Sequence, residues 1–381
     1  MDKTLTGPAG AAGPTGPADL KAVKISVAVE SDRVDWDAFV HSRADAFGYH
    51  EWTWRGIFER AFGHKCLYLT ARLGPAGTRG PAGPRGPEGP DGPAGPVIGV
   101  LPLVEIRSLL FGRTLTSLPF VNFGGVLAES DEVARALLNE ATNVAKTLRA
   151  KHVELRHIGR RFEDLPCKQH KVTMRLPLAA GMWEKIDRKA RNQVRKAEKS
   201  ELTVVRGGIE LLPEFYRVFA RNMRDLGTPV YGRQLFEEVL AAFPDRARLI
   251  VVRLKDAPVA AGFTYRTRGM VEIPWASSIR DYNSLCPNHL LYWHAIETAV
   301  AEGVDVFDFG RSTPDEGTFK FKEQWGAEPV PLHWEYWLAS GDQLPDASPK
   351  NPRFRLMIET WKRLPLWLAN GAGPRIVRNI P

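Results

Sequence analysis

From position 172 onward, short apolar runs of strand character alternate with amphipathic helical stretches in an order that leaves few folds open. A strand at 172–176 precedes a basic helix at 183–199, a strand at 202–205 and helices at 211–226 and 234–243. Strands at 247–254, 257–267 and 270–277 then follow one another with no helix between them. A helix from Asn288, whose side chain can cap it, to Glu302 leads into a strand at 306–309. Strands joined directly pair antiparallel, while a strand reached through a helix can lie parallel to an earlier one. The order therefore predicts an α/β (α+β) fold with a mixed, largely antiparallel sheet flanked by helices.

Residues 22–171 read as a first unit of the same kind. Helices at 36–47 and 52–62 lead to a hairpin whose strands, 66–72 and 97–101, are separated by a long insertion. A loop at 119–125 precedes a helix from Asp131, read as its N-cap, to about Ala150, and a strand at 153–156 follows. The second unit spans 172–343. Residues 344–381 form a Pro-rich tail with a short basic helix at 354–364. Its Phe354, Ile358 and Trp361 share one face, suited to docking on the protein's own core or to resting on a membrane interface.

Two stretches differ in composition. Gly7, Gly10, Gly13 and Gly16 open four Gly-x-y triplets in the N-terminal segment 1–21, and eight more run from Gly74 to Gly95 within 74–96. Such sequence is collagen-like, and a triple helix needs three chains with Gly at the crowded axis. Eight triplets are short for that. The second run reads as a solvated insertion at a hairpin tip, where added length is tolerated cheaply.

The chain has 381 residues, 44% hydrophobic and 25% charged, enough to bury the cores of two ordinary domains. No secretory signal and no run of about 20 apolar residues is visible, so the expected location is the cytoplasm, with peripheral contact at the inner membrane left open. Cys66, Cys167 and Cys286 are few and far apart, which predicts reduced thiols and no structural metal site. A net charge of +8 favours anionic partners, such as phosphorylated substrates, RNA or acidic lipid, although solubility alone accounts for an excess of this size.

The most informative stretch is Asp308-Phe309-Gly310-Arg311-Ser312-Thr313, followed by Gly317-Thr318-Phe319-Lys320-Phe321-Lys322-Glu323-Gln324-Trp325-Gly326-Ala327. It reads as a strand ending in a Gly turn, a polar loop and a segment presenting two lysines. Loops after strand ends are favoured ligand positions in α/β folds. Lys320 and Lys322 share a face if the segment is extended and diverge if it is helical, so one of them is expected to point inward. A lysine there would offset negative charge on the tetrahedral intermediate formed when an amine attacks an ester or thioester. Spacing alone favours two solvated lysines over a catalytic one.

The stretch resembles the C-terminal signature of the FemAB aminoacyltransferases, in which a strand ending in Asp-Phe-Gly is followed by Gly, an aromatic and a Phe-Lys pair. From about Ile25 to Pro381 the chain is similar to FemAB-related proteins of exosortase and PEP-CTERM exopolysaccharide systems. The residues carrying that likeness include Leu118-Pro119-Phe120-Val121-Asn122-Phe123-Gly124-Gly125, Met223-Arg224-Asp225-Leu226-Gly227-Thr228-Pro229-Val230, Glu272-Ile273-Pro274-Trp275-Ala276-Ser277-Ser278 and Leu290-Leu291-Tyr292-Trp293. The resemblance implies two GNAT-like (acyl-CoA N-acyltransferase-like) domains. It also implies transfer of an acyl or aminoacyl group to an amine of a cell-envelope precursor, a phosphorylated or lipid-linked saccharide or peptide. No tightly bound cofactor is implied, and the donor is aminoacyl-tRNA or acyl-CoA. By the same likeness Lys322 lies at the reaction centre.

A basic helix carries Arg188, Arg191, Arg195 and Lys199 at helical spacing, with Lys196 beside them. It resembles the FemAB helix that contributes to binding the phosphorylated acceptor, and a solvated face near Glu184, Asp187 and Glu198 is an equal reading. Arg311, Lys320, Phe321, Trp275, Asn283 and Tyr292 are further candidate substrate contacts, with His289 beside them in sequence. Glu272 and Asp308 are candidate bases, Asp308 being paired with Lys322 as the expected catalytic set. The stretch Arg280-Asp281-Tyr282-Asn283-Ser284-Leu285-Cys286-Pro287-Asn288 lacks the glycines with which GNAT enzymes cradle the CoA pyrophosphate. That weakens conventional acetyl-CoA binding. An acyl-CoA or acyl-carrier-protein N-acyltransferase, and a non-catalytic scaffold of polysaccharide export, are the alternatives.

Overall fold

A computed structural model describes residues 23–74, 95–109, 111–341, 343–345 and 352–380, with side chains from Arg355 onward in the last segment. Most of both collagen-like runs, and any association through them, lie outside the described residues. The first half contains β1 (Val23–Val27), α1 (Arg33–Ser42), α2 (Thr53–Phe62), β2 (Lys65–Cys66), β3 (Leu69–Leu73), β4 (Val97–Leu101), β5 (Val104–Ser108), β6 (Gly112–Thr116), β7 (Leu127–Ala128), α3 (Asp131–Thr147) and β8 (His152–Ile158). There follow β9 (Cys167–Pro177), α4 (Met182–Lys185), α5 (Arg188–Glu198), β10 (Leu202–Gly207), α6 (Leu212–Leu226), α7 (Arg233–Ala242), β11 (Ala247–Leu254), β12 (Ala257–Thr267) and β13 (Met270–Ser278). The chain continues through α8 (Pro287–Ala301), β14 (Val306–Ser312), α9 (Gly317–Glu323), β15 (Glu328–Leu338), α10 (Pro352–Lys362) and α11 (Leu366–Val377).

The strands form a mixed, largely antiparallel α/β architecture. One sheet has the order β1-β3-β4-β7, and an eleven-stranded sheet has the order β10-β11-β12-β13-β14-β9-β15-β8-β6-β5-β2. Among the described residues, only β13–β14 and β6–β8 pair parallel. β9 is central to the large sheet: β14 pairs with its C-terminal half, and β15 pairs along its length while also pairing with β8. The junction expected at 171/172 falls inside this strand. β3 and β4 pair antiparallel on either side of the long collagen-like insertion, with Leu73 N–H donating to Pro96 O at 3.1 Å.

Burial explains why the halves stay together. One buried cluster takes Trp36, Tyr49, Trp54, Phe58 and Phe123 from the first half and Phe215, Phe236, Phe263 and Trp275 from the second. Separate clusters under α5 and α8, and under α3, complete the core. At about 25 cal/mol per Å², aromatic burial on this scale holds the two halves as one packed body.

Several local expectations change. The helix expected at 183–199 is two helices, because Ile186 is extended and buried and Asp187 caps α5 by accepting from Lys189 N–H. Ser130, not Asp131, caps α3. Asn288 does not cap α8: Cys286 holds that position in left-handed backbone (φ 59°), and Pro287 opens the helix. α11 contains Gly371, Gly373 and Pro374, residues that argue against a helix in sequence. Its helical form depends on tertiary seating, since a Cβ on Gly373 would meet Val230 N at 2.9 Å.

Candidate active site

The parallel pair β13–β14 defines the site. Its ladder consists of Met270↔Val306, Val271↔Phe307 and Glu272↔Asp308, and both strands run on without a further register between them. Pro274 follows at once on β13 and has no N–H to offer a partner strand. On β14, Asp308 Oδ1 accepts from Gly310 N–H at 2.8 Å, a tight turn that shifts the register against β9 between Asp308 and Arg311. Gly310 is left-handed (φ 71°), and a Cβ there would lie 3.3 Å from Ile273 O. The parallel pairing thus ends at a pair of buried carboxylates, with Gly310 on β14 still close to Ile273 on β13.

Lys322 reaches this turn from α9. Because residues 317–323 are helical, Lys320 and Lys322 diverge, Lys320 being exposed and Lys322 only 6% exposed. The Lys322 ammonium donates to Gly310 O at 2.9 Å and Arg311 O at 3.0 Å. An ammonium has three N–H groups, so one remains beyond these two bonds. Burial brings the Lys322 pKa down to about 8, opposed by the charges of Asp308 and Glu272. The helix is held by an aromatic cluster in which Tyr292 stacks on Phe309 at 5.3 Å and meets the edge of Phe321 at 5.2 Å.

Asp308 is fully buried and its oxygens are occupied. Besides Gly310 N–H, it accepts from Thr173 Oγ1 and, at 3.1 Å, from Arg175 Nε. The residue thereby holds the turn below Lys322. Glu272 is buried too, accepting from Tyr49 OH at 2.7 Å and Asn122 Nδ2 at 2.8 Å. Burial first, and then the charge of Asp308, push its proton affinity up. Tyr49 and Asn122 come from the first half and escaped sequence reasoning; the one available signal was the 118–125 loop. That loop is strained, with Leu118 (φ 55°) and Phe120 (φ 69°) left-handed.

The remaining candidates separate. Trp275, 7% exposed, lies edge-on to Phe236 and Phe263 in the shared core, so it is a packing residue and not a ligand platform. Tyr292 is likewise buried, and its work is to support α9. Phe321 is half-buried beside it. Arg311 lies over the Trp334 ring at 5.3 Å, and Arg156, buried and paired with Glu154, lies 4.4 Å from the same ring. Asn283 is exposed on the turn Arg280–Leu285. His289 packs on Phe321, and burial brings its pKa down to about 4.

α5 adjoins this arrangement, since Asp187 N–H donates to Gln324 O just after α9. Ala190, Val194 and Ala197 are its buried side. Arg188, Lys189, Arg195, Lys196 and Lys199 are exposed, and Arg191 is half-buried with its Nε lacking a partner. Arg195 lies 5.4 Å from the Trp183 ring.

Residues 184–323 match the family described as acetyltransferase (GNAT) domain. The match covers the second of the two GNAT-like units and not the first. The matched stretch contains the β13–β14 pair, Lys322 and the basic helix α5, and it makes the protein an acyltransferase. No curated protein sequence matches the chain. Among solved structures, the chain is similar to a crystal structure of FemX, with 15% identity, a TM-score of 0.57, and coverage of 88% of this chain and 100% of that one. It is also similar to a tandem GNAT protein from the clavulanic acid biosynthesis pathway (11% identity, TM-score 0.51, 85% and 100% covered). A conserved protein of unknown function from Bacteroides thetaiotaomicron is comparable (9%, 0.52, 83% and 100%). At these identities the likeness is one of fold: two GNAT-like units in one chain, of which the second carries the family match.

Proposed function

We propose that the GNAT domain transfers an acyl or aminoacyl group to an amine on a phosphorylated or lipid-linked precursor of the cell envelope or an exopolysaccharide. The observation that carries this reading is the buried Lys322 ammonium, bonded to Gly310 O and Arg311 O just beyond the end of the β13–β14 ladder. In the proposed reaction the acceptor nitrogen attacks the acyl carbonyl carbon. Lys322 faces the resulting oxyanion with its remaining N–H, and the donor's ester oxygen or thioester sulfur leaves, taking the proton from nitrogen. Asp308 and Thr173 hold the Gly310 turn, and through it the position of Lys322. The exposed cations of α5, with Arg191 half-buried among them, supply charge for the precursor's phosphate, and Arg311 supplies a further cation.

The start of α8 bears on the donor. A pyrophosphate cradle needs free N–H groups at a helix N-terminus, and Pro287 removes the first of them while Cys286 turns the backbone left-handed. This favours an aminoacyl-tRNA donor, as the FemAB resemblance implies, over acetyl-CoA. The exosortase and PEP-CTERM association rests on that resemblance as well.

The test is transfer of labelled amino acid from charged tRNA, or of acetyl from acetyl-CoA, to amine-bearing envelope precursors by the purified full chain. Lys322→Ala is expected to lower the rate by roughly 10²–10³-fold, as when one oxyanion donor is lost. Unchanged transfer by the variant overturns the role of Lys322. Micromolar CoA binding by calorimetry moves the donor to acyl-CoA.

A further inference from the structure

The two C-terminal helices dock on the GNAT domain by one side and leave an apolar surface on the other. α11 is seated through Ala369, Gly373 and Val377, and Gly373 approaches Val230 too closely to admit a side chain. At about 100° per residue, Trp367 stands roughly 120° from the middle of that seated side, and it is 75% exposed. α10 packs Ile358 against Gly227, while Leu356 is 78% and Met357 57% exposed. Leu368 and Ile376 are exposed as well. Five of the twelve exposed large hydrophobic residues among those described therefore fall between Leu356 and Ile376.

The charges around them have one sign. Residues 355–380 hold Arg355, Lys362, Arg363, Arg375 and Arg378 against the single carboxylate Glu359, which is paired with Lys362 at 2.7 Å. The α10–α11 turn is pinned to the body of the protein by Arg224 Nη1 donating to Leu364 O at 2.9 Å, so these groups sit on a fixed platform. Apolar side chains flanked by Lys and Arg, with a tryptophan among them, match the chemistry of an anionic bilayer interface, where rings and aliphatic chains enter the headgroup region and cations meet lipid phosphate. A protein partner would be matched by such a surface only if it were itself acidic and apolar.

We propose that α10 and α11 form a peripheral docking surface for anionic lipid membranes. The surface is separate from Lys322 and the β13–β14 pair, so the proposal stands whichever donor and acceptor the GNAT domain uses. It is tested by sedimenting the full chain with vesicles of phosphatidylcholine alone and of phosphatidylcholine mixed with phosphatidylglycerol. Binding is expected on the anionic vesicles and is expected to weaken at high salt. The double variant Leu356→Asp, Trp367→Asp should bind roughly tenfold or more weakly, whereas Ile209→Asp, at an exposed apolar position elsewhere, should bind as the parent does. Arg363→Gln and Arg375→Gln should each reduce binding by roughly fivefold. Absence of binding to anionic vesicles, or equal binding by the double variant, overturns the proposal. A dimer in light scattering that the double variant converts to monomer would assign the surface to a second copy of the chain, and also overturns it.

Discussion

Glu272 and Asp308 face each other at the last paired position of two parallel strands, and the ladder goes no further. Both carboxylates are buried, and the ammonium of Lys322 lies within their field. The arrangement yields tests that do not require the substrate.

Lys322 should carry a pH signature in stability. Its pKa is about 8 in the folded protein against an ordinary 10.5, so between these values the unfolded chain holds the proton that the folded one has lost. Stability therefore rises with pH across that window, and the cost of the buried charge is fully present below pH 8. Relative to Lys322→Met, the parent should gain up to roughly 3 kcal/mol between pH 8 and 10.5, read from urea midpoints at a series of pH values.

Glu272 should show the opposite slope. Its folded proton affinity is raised above the ordinary 4.5, so as pH rises past 4.5 the unfolded chain ionises first and the folded state loses ground. Against Glu272→Gln, which removes the titration, the parent should become progressively less stable as pH rises from 4.5. A flat difference would show that the carboxylate is not held under strain.

Gly310→Ala should damage both fold and site. A left-handed alanine costs about 1 kcal/mol or more, and its Cβ would press on Ile273 O at 3.3 Å. Because Gly310 O holds the Lys322 ammonium, transfer should fall by more than the loss of stability accounts for. Melting temperature and rate measured on one preparation separate the two effects.

The cations of α5 should act on substrate binding. Arg191→Ala combined with Arg195→Ala should raise KM for a phosphorylated acceptor several-fold, leave kcat nearly unchanged, and lessen the dependence of KM on salt. An unaltered KM would return the helix to a solvated face.

Trp275→Ala serves as a packing control. The indole is buried between Phe236 and Phe263, so its removal should cost about 3–5 kcal/mol of stability without selective loss of substrate affinity.

The order of strands from 247 to 278, the helix after them and the strand carrying Asp308 were legible in the sequence because each depends on local periodicity. So was the divergence of Lys320 and Lys322, once residues 317–323 are known to be helical. Which lysine turns inward, and what it meets, was not legible, because the Gly310 and Arg311 carbonyls are presented by a turn that Asp308 closes on itself. Asn122 stood in the stretch that carried the family likeness, but the partnership of Tyr49 and Asn122 with Glu272 was not legible: they reach it across 223 and 150 positions of sequence, and nothing local marks a residue for so distant a partner. An aromatic such as Trp275 along a strand is more often core than ligand platform, and Trp275 lies in the aromatic cluster shared by the two halves. Local pattern thus set the elements and their order, whereas the buried groups of the site were decided by the packing of one half on the other, where loss of water makes each unpaired polar atom costly.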